Sequence, residues 1–213
     1  LSRQDLAGSN RMLALSRIFY YRKSPTTFFP ANGKQRQENE MISFKPFNIV
    51  LIEPEIPPNT GNIARLCGAT CSTLHLVGKL GFSTDDKTLK RAGLDYWKEV
   101  EIKYWQNLTE VKRANPAGRF FYASKKAEKS YVDVRYHEGD FLVFGKETAG
   151  LPEELLRENP DTTIRIPIFG NVRSINLATA TGIVLYEALR QTGRLSEVAR
   201  TRHRRETEHL LDD

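Results

Sequence analysis

The run Ile164-Arg165-Ile166-Pro167-Ile168, the polar stretch Phe169-Gly170-Asn171-Val172-Arg173-Ser174 and the segment from Ile175 to Gln191 constrain this chain more than any other feature. They read as a short buried strand, a tight loop and a long helix carrying Ile175, Leu177, Ile183, Val184, Leu185 and Leu189. Ser174 is the expected N-cap, because its hydroxyl can accept from amides two or three residues on. Gly193 is the expected stop. Ala178, Ala180 and Gly182 leave room for a backbone or a ligand to come close. A strand feeding a helix through a polar loop is where α/β proteins place ligands, since loop amides and the positive helix end meet at the strand's carboxyl edge.

The same unit recurs upstream. Residues 47–52 read as a buried strand, followed by the stiff loop Glu53-Pro54-Glu55-Ile56-Pro57-Pro58-Asn59. A helix over residues 60–70 then puts Ile63, Leu66, Cys67 and Thr70 on one face and Arg65 nearly opposite. Arg65 is either a solvated arginine or a guanidinium presented beside a rigid loop. Residues 74–77 form a second strand, in which His75 reads as a satisfied core histidine. Further strands fall at 100–104, 119–123 and 141–144, with a helix at 108–114. The strand at 119–123 exits into Ser124-Lys125-Lys126. The one at 141–144 breaks at Gly145-Lys146-Glu147-Thr148-Ala149-Gly150, whose glycines imply unusual dihedrals or close backbone approach. By itself Glu147 reads as a loop carboxylate in water. The next helix begins at Leu151-Pro152-Glu153-Glu154, with proline in its first turn and two acids complementing the dipole. Loops 123–126, 145–150 and 169–174 therefore converge in an α/β fold. No Gly-x-Gly-x-x-Gly follows a strand, and no Walker loop or Ser/His/Asp arrangement is present.

Charged residues make up 27% and hydrophobic residues 39% of the 213, which suits one soluble α/β domain with extensions rather than a disordered or membrane chain. No apolar run reaches transmembrane length. A net charge of +6 favours a polyanionic partner. Cys67 and Cys71 do not form Cys-x-x-Cys, and the four histidines have no ligand spacing, so no metal site is expected. Both thiols read as reduced core residues of a cytoplasmic protein. Residues 1–43 read as a poorly ordered extension, 44–193 as the domain, and 194–213 as a charged tail. The extension loosely resembles a transit peptide, but a fragment of a longer reading frame or translation upstream of a start at Met41 is the preferred reading. Lys87, Lys90 and Arg91 share one helical face beside Tyr96 and Trp97. They form either a solvated stripe or a surface for phosphate contact with base stacking.

Three segments resemble a known family: Asn59-Thr60-Gly61-Asn62-Ile63-Ala64-Arg65, Phe144-Gly145-Lys146-Glu147-Thr148-Ala149-Gly150-Leu151-Pro152, and Ile166-Pro167 with Ser174-Ile175-Asn176-Leu177. In this order they are similar to the three motifs of SpoU-type SPOUT RNA 2′-O-methyltransferases. Residues 53–67 and 85–96 resemble the TrmL-like branch, which methylates the ribose of the wobble pyrimidine (cytidine or uridine 34) in certain leucine tRNAs. The resemblance covers residues 45–192. It implies an α/β sheet with a C-terminal trefoil knot holding S-adenosyl-L-methionine, and a homodimer whose sites are completed across subunits. It also implies cofactor contacts from Ala123, Gly145, Ile166, Ser174, Asn176 and Leu177, with Glu147 and Asn176 ordering the loops. Arg65 and Asn59 would work on the tRNA, and Tyr186 matches a tyrosine implicated in the branch, or else packs in the core. The alternatives are a methyltransferase acting on ribosomal RNA and an RNA-binding module without catalysis.

Overall fold

The computed structural model describes residues 45–82, 97 and 100–196. Lys87, Lys90, Arg91, the extension 1–43 and the tail beyond residue 196 lie outside the described residues.

Among the described residues seven strands form one sheet: β1 (Asn48–Ile52), β2 (Thr73–Val77), β3 (Ile102–Trp105), β4 (Phe120–Ala123), β5 (Lys129–Ser130), β6 (Phe141–Phe144) and β7 (Thr163–Arg165). Their order is β3-β2-β1-β6-β4-β7-β5, and every pairing is parallel. Parallel strands are covered on both faces, and their sequences show it: β2 and β6 are buried throughout. Successive side chains leave opposite faces. In β1, Ile49 and Leu51 join the core under α1 (Pro57–Thr70), while Val50 joins the core under α2 (Leu108–Ala114). The first core also takes Val184, Leu185, Ala188 and Leu189 from α4 (Leu177–Gln191). The second takes Leu156 from α3 (Glu153–Glu158). Each buried Val, Leu or Ile side chain among these contributes roughly 1.5–3 kcal/mol.

Inside the sheet His75 is 1% exposed, flanked by β1 and β3. Its Nδ1 accepts from Trp105 Nε1 at 3.0 Å, so the proton sits on Nε2 and is donated to Asn48 Oδ1 at 3.0 Å. Burial, reinforced by the charge of Lys103, pushes its pKa down to about 4. It is the satisfied core histidine that the sequence suggests.

Several local expectations are corrected. Helix α4 begins at Leu177 rather than at Ser174, and Asn176 is its cap, accepting from Ala178 N at 2.9 Å and Thr179 N at 3.3 Å. β7 ends at Arg165, because Pro167 has no N–H to continue a ladder. Pro152 is the N-cap of α3 and lies outside its first turn. Cys71 is not a core residue: it is exposed and left-handed (φ 54°) at the end of α1, whereas Cys67 is buried. Gly193, at φ 75°, stops α4 as expected.

Candidate functional site

The loops leaving β1, β4, β6 and β7 all emerge at the carboxyl edge of the sheet, where open α/β sheets bind ligands. They enclose a cavity of about 310 Å³. Ala123, Gly145, Ile166, Ser174, Asn176 and Leu177 all line it, as do Asn59 and Glu147. Arg65 and Tyr186 do not. Both are exposed, Tyr186 by 47%, on α1 and α4, helices that pack against each other.

The proline loop explains how Glu147 is held. Pro54, Pro57 and Pro58 have no N–H, so between residues 53 and 59 few donors exist. The amides of Glu53 and Asn59 go to Val77 O and Ile56 O. The two that remain both go to Glu147: Glu55 N to Oε2 at 2.9 Å and Ile56 N to Oε1 at 3.2 Å. The carboxylate thereby sits at the start of α1, where the helix dipole favours negative charge. Read alone, Glu147 looked like a loop acid in water; the structure makes it the anchor of two loops.

Asn59 extends this anchor to the third loop. It is 6% exposed, and its Nδ2 donates to Glu147 Oε1 at 2.9 Å. Its Oδ1 accepts from Asn176 Nδ2 at 2.9 Å, and Asn176 Oδ1 in turn caps α4. The order of donors is forced, because a carboxylate only accepts and helix amides only donate. Each end of the Asn59 amide thus makes one bond inside the chain, which ties the three loops together. Glu147 likewise accepts on both oxygens, one donor on Oε2 and two on Oε1.

Gly145 and Gly150 make the tight loop possible. A Cβ on Gly145 would lie 2.3 Å from the Gly150 carbonyl carbon and 2.4 Å from Leu151 N, and Gly150 has φ 72°. The loop is pinched shut by Gly150 N donating to Lys146 O at 2.9 Å.

The lining suits S-adenosylmethionine. Ile166, Ile168, Leu177 and Val184 supply apolar walls for a flat ring, and backbone at Gly145 approaches without an intervening side chain. Ser124, Lys125 and Lys126 at the exit of β4 supply polar and cationic groups for an amino-acid end. Lys126 pairs with Glu153, whose carboxyl it draws below the usual range. Among the described residues no cluster of His, Cys, Asp or Glu could hold a metal ion, and no helix is long and apolar enough to cross a membrane.

Known proteins share this architecture. A tRNA (cytidine(34)-2'-O)-methyltransferase of Methylovorus glucosotrophus is 47% identical over 146 residues, covering 68% of this chain and 95% of that one. A solved structure described as "Structural insights into the 2-OH methylation of C/U34 on tRNA" is 44% identical with a TM-score of 0.66, covering 69% of this chain and 96% of that one. The SpoU methyltransferase AviRb of Streptomyces viridochromogenes, solved with AdoMet, is 25% identical with a TM-score of 0.62, covering 70% and 59%. The family model of the SpoU rRNA Methylase family matches residues 46–186. With a parallel sheet, a cavity enclosed by four loops at its carboxyl edge and a match over most of its length, the chain belongs to the SpoU rRNA Methylase family.

Proposed function

We propose that this protein transfers a methyl group from S-adenosylmethionine to the ribose 2′-oxygen of cytidine or uridine 34 in leucine tRNAs, acting in the cytoplasm as a homodimer. The observation that carries the reading is the Glu147–Asn59–Asn176 relay, which fixes the three motif loops around one cavity of suitable lining. When bound, the cofactor supplies a methyl group already activated on a sulfonium, so the protein has mainly to position reactants.

Gly145 and Ile166 offer main-chain approach to the adenine, with Ala123, Ser174, Asn176 and Leu177 completing the pocket. Arg65 stands outside the cavity of its own chain, and its role here is to address the neighbouring subunit's site. A guanidinium with pKa above ~12 is a poor base near neutrality. Arg65 instead clamps the phosphate or the developing alkoxide, worth about 3 kcal/mol by analogy with oxyanion donors. The exposed Tyr186, on the helix that packs against α1, serves as a contact across the dimer or to the ribose. Lys87, Lys90 and Arg91 are assigned to the tRNA backbone, and the C-terminal part of the domain to the family's trefoil knot.

The test is transfer of labelled methyl from S-adenosylmethionine to purified tRNA and to ribosomal RNA, with ribose methylation mapped by nucleotide. Label at position 34 of leucine tRNAs supports the reading. Label confined to ribosomal RNA, or none despite cofactor binding, selects one of the two alternatives.

A further inference from the structure

The backbone pairing of β1 and β6 ends at Leu51 with Phe144, yet their offset of 93 residues continues in side chains. Lys146 Nζ donates to Glu53 Oε2 at 2.6 Å. At the same offset, Thr148 donates to Glu55 Oε2 from its amide at 3.2 Å and from its hydroxyl at 2.8 Å. Glu147, between them, points the other way and takes the amides of Glu55 and Ile56. Three consecutive residues of the cavity loop thus interlock with the proline loop, as strands do through backbone groups.

The chain bends to keep these acids in place. Glu53 adopts φ 45°, a conformation that favours glycine. Gly78, at φ 79°, must lack a side chain because a Cβ would come within 2.9 Å of Glu53 Cγ. A Cβ on Gly81 would lie 2.8 Å from Glu55 Cα, and Gly81 N donates to Pro54 O at 2.9 Å. The 78–81 turn therefore backs the proline loop closely from behind. Neither Glu53 nor Glu55 lines the cavity.

Resting on the methyl-transfer reading above, we propose that Glu53 and Glu55 are positioning residues for that reaction. They extend the β1–β6 ladder beyond its backbone, so that the cavity loop 145–150 and the start of α1 move as one rigid unit. The acids act through Lys146 and Thr148, which do line the cavity.

The test uses the full-length chain with Glu55→Ala, Glu55→Gln, Glu53→Ala and Thr148→Val. Cofactor affinity is measured by calorimetry, kcat and tRNA KM by methyl transfer, and Tm by circular dichroism. A displaced loop lowers kcat about tenfold, since small misplacements near reacting groups cost at least that, and weakens S-adenosylmethionine binding, with tRNA KM little changed. Glu55→Gln, which keeps an acceptor oxygen for Thr148, recovers most of both. Wild-type kcat and affinity in Glu55→Ala, or a Glu55→Gln variant as impaired as Glu55→Ala, overturns the proposal. If Glu55→Ala fails to fold, Thr148→Val decides: reduced kcat at wild-type Tm supports it, and wild-type kcat overturns it. Failure of the substrate assignment looks different, as wild-type protein that binds S-adenosylmethionine but leaves nucleotide 34 unmodified; the variants' cofactor affinities then still decide.

Discussion

Replacing Asn59 by aspartate is almost isosteric, yet it reverses one link in the relay. The wild-type Nδ2 donates to Glu147 Oε1 at 2.9 Å, and the substituted oxygen would face that carboxylate instead. A hydrogen bond to a charged group is worth about 1.5–3 kcal/mol, and that is lost. Two like charges ~3 Å apart at an effective dielectric of ~20 repel by about 5 kcal/mol before relaxation. Asn59 is 6% exposed and Glu147 half-buried, so water screens the pair only in part until the loops part. Allowing for that parting, we expect Asn59→Asp to destabilise the fold by about 3–5 kcal/mol, a large share of the ~5–15 kcal/mol that holds a domain folded. In Tm this is about 6–20 °C for a domain of this size. Thermal and urea denaturation with circular dichroism measure it. Asn59→Ala, which loses two bonds but adds no charge, should be the milder change. Adding Glu147→Gln to Asn59→Asp supplies a donor opposite the new acid and should recover stability non-additively. An Asn59→Asp protein within about 2 °C of wild type, or one more stable than Asn59→Ala, refutes the reasoning.

Other consequences follow from single residues. Gly145→Ala drives a Cβ into backbone at 2.3 Å; the loop must open, costing about 1–3 kcal/mol, and calorimetry should find S-adenosylmethionine binding lost. Asn176→Ala removes the cap of α4 and one relay link; a Tm loss corresponding to ~1–2 kcal/mol is expected, and an unchanged Tm contradicts the capping role. Arg65→Lys should lower methyl transfer at least about tenfold while leaving Tm and cofactor affinity unchanged, because a clamp worth ~3 kcal/mol depends on guanidinium geometry; near-full activity counts against it. His75 takes a proton near pH 6.5 when unfolded but only near about 4 when folded. Its contribution is therefore intact above pH 6.5 and declines by about 3 kcal/mol as pH falls towards 4. Urea denaturation at pH 7 and pH 4.5 reads the decline, which His75→Gln should reduce.

What the amino-acid sequence revealed depended on whether the determining interactions were local. Phe141–Phe144 is an unbroken apolar run ended by Gly145, so β6 and its tight loop were legible from residues that touch. Residues 108–114 form the expected helix because Asn107 caps it three positions before Glu110. β5 was missed: two residues carry no period. Ser174 and Asn176 are comparable caps in isolation. What selects Asn176 is a bond to Asn59, 117 residues away: its amide donates there while its oxygen accepts from the helix. A serine hydroxyl, with a single proton on one short arm, does not span both partners. Glu53 and Glu55 carry no role when read locally for the same reason, although a signal exists. Acids at alternate positions after one parallel strand, and Lys-x-Thr after its neighbour, match only once the β1–β6 register is known.

The most direct test is methyl transfer to two leucine tRNA transcripts that differ only at nucleotide 34, one with ribose and one with 2′-deoxyribose. Label entering the first and absent from the second is the predicted result. Equal labelling of both would place the methyl group elsewhere and contradict the assignment of a ribose 2′-oxygen acceptor at that position.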